Sequence, residues 1–136
     1  MPGTNVSCDF IAAAISGNAS PLFDNANAAI GVGDDSTAFG VSQTQLQAEA
    51  NGSNALRKGM DSGFPVVDPD SNGSNNTIRF SSTFGTSEGN FRWEEWGVFN
   101  DVTSGAGTML NRKVDYIGEK TNSAIWVFEC DITFSV

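Results

Sequence analysis

FRWEEWGVFNDVTSGAGTMLNRK, residues 91–113, is the stretch whose reading decides the fold. Phe91 and Trp93 alternate in one register and Trp96 and Val98 in the other, so the period-2 phase slips at Glu94-Glu95. A β-bulge produces such a slip, because one extra residue turns every later side chain to the opposite face. Residues 101–107 (DVTSGAG) then supply the residue types of tight turns. Thr108-Met109-Leu110 restarts an apolar strand. The stretch reads as two long strands joined by a turn-rich loop. Trp93, Trp96 and Val98 belong to a core, and Asp101, Thr103 and Ser104 face solvent or a partner.

Toward the C-terminus the pattern is cleaner. Ala124, Trp126, Phe128, Cys130, Ile132, Phe134 and Val136 fall on one face. Ile125, Val127, Glu129, Asp131, Thr133 and Ser135 fall on the other. That is a half-buried terminal strand, which places Trp126, Phe128 and Phe134 in the core. Residues 116–123 read as a polar connection.

Toward the N-terminus, residues 77–84 (TIRFSSTF) alternate as a strand, and residues 28–33 (AAIGVG) form a short buried one. Residues 56–67 extend with a break near Gly63 and Pro65. Residues 42–50 (SQTQLQAEA) are the best helical piece, about two turns. In residues 68–76, Asp68, Asp70, Asn72 and Gly73 match the opening of an EF-hand loop. The match fails where Asn75 replaces an apolar residue and Arg79 replaces the bidentate Glu, so an inter-strand turn is read there. The prediction is a mainly β chain: an antiparallel, jelly-roll-like β-sandwich over residues 27–136, with one short helix and an N-terminal arm over residues 1–26. In the arm, Val6, Cys8 and Phe10 alternate as a strand would. Phe10, Ile11, Ile15, Leu22 and Phe23 are too apolar to hang free and are predicted to dock, on the domain or on a neighbour.

Composition narrows function by exclusion. The net charge is −9 and His is absent. Nucleic-acid binding needs a basic footprint, and anionic membranes repel the same balance, so neither is a predicted partner. Without His there is no Ser-His-Asp or Cys-His nucleophile activation, and most zinc sites are removed. No cofactor is implied. Cys8 and Cys130 read as two buried reduced thiols, with a disulfide between them, or to a neighbouring subunit, as the alternative.

Glu94 and Glu95 between two Trp invite a glycosidase or sugar-binding reading. The simpler reading makes the indoles core and pairs one Glu with Arg92 or Arg112. Asp34-Asp35 reads as a turn former, and Arg112-Lys113 beside Asp115 as surface pairing or an interface contact.

Four ordered segments carry a resemblance: AAIGVGDDSTAFGVSQTQLQAEA, LRKGMDSGFP, IRFSSTFGTSEGNFRWEEWGVFN and GTMLNRKVDYIGEKTNSAIWVFECDITF. Together they resemble small structural proteins encoded in tailed-phage genomes and the β-sandwich modules of tail-collar fibres, over roughly residues 27–135. The resemblance implies a non-enzymatic virion component, assembled in the host cytoplasm. As a capsid decoration or head-fibre-like protein it would dock on the major capsid protein; as a tail, collar or fibre adaptor it would join tail or collar proteins. A homo-oligomer, a trimer among the options, is implied with either. Cys8, Cys130 and the arm lie outside the resembling pattern.

Overall fold

The computed structural model describes residues 5–18, 21–73 and 75–134. The described residues form seven strands and two helices in the order α1 (Asn5–Ile15), β1 (Ala29–Gly33), α2 (Gln47–Ala50), β2 (Ala55–Gly59), β3 (Val66–Val67), β4 (Thr77–Phe84), β5 (Arg92–Phe99), β6 (Met109–Glu119) and β7 (Trp126–Thr133). A four-stranded sheet, β2-β1-β5-β6, faces a three-stranded one, β3-β4-β7, and every pairing is antiparallel. This is the predicted β-sandwich.

The core fills the gap between the sheets. Ile30 and Val32 from β1, Trp93, Trp96 and Val98 from β5, and Leu110 from β6 meet Phe80 and Phe84 from β4 and Cys130 and Ile132 from β7. Trp126, Phe128 and Phe134 pack on it half-buried, as their alternation predicts. The indole of Trp93 is ringed edge-on by Phe84, Trp126 and Phe128, at 4.8, 5.0 and 6.0 Å between centroids. The phase slip in β5 is real. Trp93 and Trp96 share the inner face, and the register with β6 shifts between Trp93 and Glu95. The surplus residues lie on β6: Trp93 pairs Gly118 and Glu95 pairs Val114, so 115–117 have no register partner in β5.

The outer face of the larger sheet is also covered. Leu46, Phe99 and Met109 form a second buried cluster where residues 34–54 fold back over the strands. Gly31 and Gly33 make this possible. A Cβ on Gly31 would lie 2.7 Å from the Phe99 ring, and one on Gly33 would lie 2.6 Å from Glu95 Oε2 and 2.8 Å from Ala48 Cβ. Strand β1 is therefore buried on both faces, which explains its unbroken apolar and Gly composition.

Several expectations change. Residues 5–15 are helix, not strand. The Ala12-Ala13-Ala14 run favours helix, and Gly17 (φ 78°) ends it, with Asn18 N–H donating to Ala13 O at 2.7 Å. Alternation over three positions, Val6, Cys8 and Phe10, was too short to outweigh that. The predicted helix at 42–50 is one turn, α2, whose start is held by Glu95 from across the sheet and by the local Glu49, which accepts the Leu46 N–H at 3.1 Å. The strand predicted over 56–67 is two, β2 and β3, in different sheets. The polar connection at 116–123 begins later, because β6 runs on to Glu119. Cys8 and Cys130 form no disulfide with each other; Cys130 is buried on the core side of β7 as expected, whereas Cys8, expected to be buried, is exposed on α1.

Candidate docking surface

The charged residues beside the two Trp are structural. Glu95 is fully buried on the outer face of β5. Its Oε1 accepts the Gln47 N–H (2.9 Å) and Arg112 Nε (2.7 Å), and its Oε2 accepts the Ala48 N–H (2.8 Å). It thus satisfies the first free amides of α2 and neutralises Arg112 at once. Arg112 is not the surface residue the sequence suggested. Its side chain is wholly buried, and its remaining N–H groups reach Gln43 Oε1 and Asp35 O at 3.3 and 3.4 Å. Arg92 pairs with Glu94 at 3.3 Å, and Lys113 with Asp115 at 3.7 Å, both at the surface.

A second buried pair braces the β5–β6 loop. Arg57 grips Glu49 through Nε (2.7 Å) and Nη2 (3.1 Å) and lies 3.6 Å over the Phe99 ring. Its Nη1 donates to the carbonyls of Asp101 and Ala106, both at 2.8 Å. Within the loop, Asp101 Oδ1 accepts the Thr103 N–H at 2.8 Å. The loop is held from below while Val102, Thr103, Ser104 and Gly105 stay exposed. Nothing in the local sequence of 101–107 names Arg57, which is distant in the chain. Lys120 is buried too; its ammonium donates to Gly85 O (2.6 Å), Asn90 Oδ1 (2.9 Å) and Thr121 O (3.5 Å), tying the 85–90 turn to the end of β6.

The predicted interface residues divide. Phe10 and Phe23 stack edge-on at 4.8 Å, and Phe23 packs on the core. Ile11 is half-buried over an apolar cavity of about 210 Å³ shared with Phe80, Leu110 and Phe134. Ile15 and Leu22 face outward, 84% and 53% exposed. The arm's exit and the β5–β6 loop are brought together: Asn100 Nδ2 donates to Pro21 O at 3.0 Å while Asn100 Oδ1 accepts the Thr108 N–H. Pro21, Asp101 and Val102 border one hollow of about 270 Å³. Leu22 and Asp101, Thr103 and Ser104, remote in sequence, thus belong to one end of the sandwich.

The sequence reading missed another surface. Both β6 and β7 are edge strands on the same flank, and between them lies a cleft of about 380 Å³ lined by Trp93, Ile117, Ile125, Trp126, Val127 and Phe128. Ile125 and Val127 are more than half exposed. They sit on what alternation marks as the solvent face, where two consecutive apolar positions are the signal that was available.

Several ionisable groups feel their surroundings. The Thr37 hydrogen bonds hold the Asp35 carboxyl below its ordinary value, Lys58 does the same for Glu88, and Arg79 for Asp131. Burial, with the neighbouring Asp131 charge, pushes the Cys130 thiol up to about 12. Asp34 and Asp35 act as turn formers, accepting from Ser53, Asn54, Thr37 and Asn51. Asp68 turns both carboxylate oxygens onto its own loop, at the N–H groups of Asn72 and Gly73. Among the described residues no group of three or more His, Cys, Asp or Glu is placed to hold a metal, and no helix is long and apolar enough to cross a membrane. A sugar site on Trp93, Trp96 and Glu95 has no accessible face, since all three are buried. No family model, curated protein or solved structure matches the chain.

Proposed function

We propose that this chain is a non-enzymatic structural component of a tailed-phage virion, docking on the capsid surface as a decoration protein. The observation that carries the reading is the braced end of the sandwich. The arm's exit and the β5–β6 loop are locked together by Asn100, and the loop is pinned by the Arg57–Glu49 pair. A buried ion pair that fixes the loop gives a preorganised surface, with little ordering left to do on binding. Val102 and Leu22 supply exposed apolar contacts there. The ordered segments that resemble tailed-phage structural proteins support the same reading. The acidic charge suits a protein held at high local density.

The test is quantitative mass spectrometry of gradient-purified heads and tails from the producing phage, together with rebinding of purified protein to particles stripped of it. Head-associated protein whose rebinding is lost on Val102→Asp is the expected result. Protein found on tails alone moves the function to a collar or fibre adaptor, the second reading of the resemblance. Absence from both overturns the proposal.

A further inference from the structure

We infer that the open flank of the sandwich is a two-fold interface with a second copy of this chain, centred on Tyr116. Strand β6 pairs with β5 alone, so its other edge has no strand partner among the described residues. Residues 113–117 and Glu119 are exposed and Gly118 is half-buried, and 115–117 lack register partners even in β5. An open strand edge is a template for another chain, and here Lys113 and the 115–117 bulge limit the pairing to a short stretch. Val114, Tyr116 and Ile117 add apolar surface, continued by Ile125 and Val127 across the cleft.

What selects a second copy is the charge order along the segment. Lys113 and Glu119 stand three residues either side of Tyr116. Laid antiparallel across a two-fold axis through Tyr116, Lys113 of each copy meets Glu119 of the other, Val114 meets Gly118, Asp115 meets Ile117, and Tyr116 meets Tyr116. The Lys113–Glu119 pair, made twice across the axis, is the self-complementary element an isologous interface requires. Centring on Asp115 instead would set Asp115 against itself, which disfavours that register. Within one chain Lys113 has only the 3.7 Å contact to Asp115, with both side chains about half exposed, and Glu119 makes no ion pair among the described residues. Arg92, stacked 4.2 Å over the Tyr116 ring, and its partner Glu94 add no net charge at the centre. The bulge at 115–117 interrupts any long ladder, so side-chain matching carries the specificity. Each copy bears a net −9, and local opposite-charge pairs are what let two such chains approach.

This inference does not rest on the virion reading. Residue 116 lies roughly 20 Å along β6 from the β5–β6 loop, so variants of the flank leave the proposed docking end intact. The experiment is sedimentation equilibrium of the full chain over a concentration series, in reductant so that the exposed Cys8 forms no disulfide. Wild type is expected to approach twice the chain mass. Lys113→Glu is expected to weaken association at least tenfold, an order-of-magnitude figure for like charges set against each other. The double swap Lys113→Glu with Glu119→Lys is expected to restore it. Both positions are exposed, and an unchanged near-UV spectrum confirms folding. A monomer at every concentration, a Lys113→Glu variant that associates like wild type, or a double swap that stays dissociated overturns the inference.

Discussion

Replacing Glu95 by Ala tests the claim that this carboxylate is the keystone of the outer layer. The substitution removes the acceptor of three hydrogen bonds, from the Gln47 and Ala48 amides and from Arg112 Nε. The larger consequence is for Arg112, whose side chain is completely buried. It keeps only the longer contacts to Gln43 and Asp35. Removing one member of a buried ion pair costs about 3–5 kcal/mol, because the other charge stays desolvated without its partner. The two orphaned amides add to this, each by up to ~1–3 kcal/mol where water cannot reach them. Water entering the vacated space reduces both contributions, so a total loss of about 4 kcal/mol is expected. Against a typical domain stability of ~5–15 kcal/mol that is a large fraction. Urea denaturation followed by Trp fluorescence and far-UV circular dichroism measures it. Arg112→Met should cost less, since Glu95 keeps its two amide donors. Glu95→Leu combined with Arg112→Met should cost less than the two single changes summed, since no charge is left unpaired. A Glu95→Ala variant within about 1 kcal/mol of wild type, at unchanged m-value, would falsify the reasoning.

Other expectations follow from particular contacts. Gly33→Ala should destabilise by about 1–3 kcal/mol, since its Cβ would press on Glu95 and Ala48, whereas Gly59→Ala, with nothing within 4 Å, should stay within ~0.5 kcal/mol of wild type; denaturant midpoints of the two decide it. Asp35, Glu88 and Asp131 have lowered folded-state values, so each contributes stability that is present above its unfolded value and lost as pH falls through the folded one. Stability should therefore hold down to about pH 5 and fall progressively below about pH 4, and Asp131→Asn should flatten part of that acid limb in pH-dependent denaturation curves. A thiol reagent should modify Cys8 rapidly and Cys130 only on unfolding, because Cys130 is buried and its thiol is pushed up to about 12; two fast-reacting thiols in the native protein would contradict the placement of β7.

Much of the architecture was legible because strands with one buried face alternate at a fixed period. β4, β7 and the slip inside β5 could be read directly, and so could the burial of Trp93, Trp96 and Val98 and the packing of the half-buried Trp126, Phe128 and Phe134 on the core. The pairing of a Glu beside the Trp residues with Arg112 was one of two options the residues themselves offered. The helical arm was misread because alternation over three positions competed with a stronger Ala run and a Gly stop.

What the sequence determined by itself, then, is local: which residues repeat at the strand period, where turns fall, and that the net charge is far from zero. What only the tertiary structure decided is every contact that closes over a long separation. Glu95 reaches α2 across 47 residues, Arg57 reaches the 101–107 loop, and Asn100 reaches Pro21 across 79. A buried charge looks the same in sequence as a surface one. Its burial depends on which partner the fold places within hydrogen-bonding distance, and no local pattern encodes that. For the same reason Ile125 and Val127 were the sequence's sole hint of the β6–β7 flank: β6 is an edge because no strand lies on its far side among the described residues, a property of sheet order rather than of its residues.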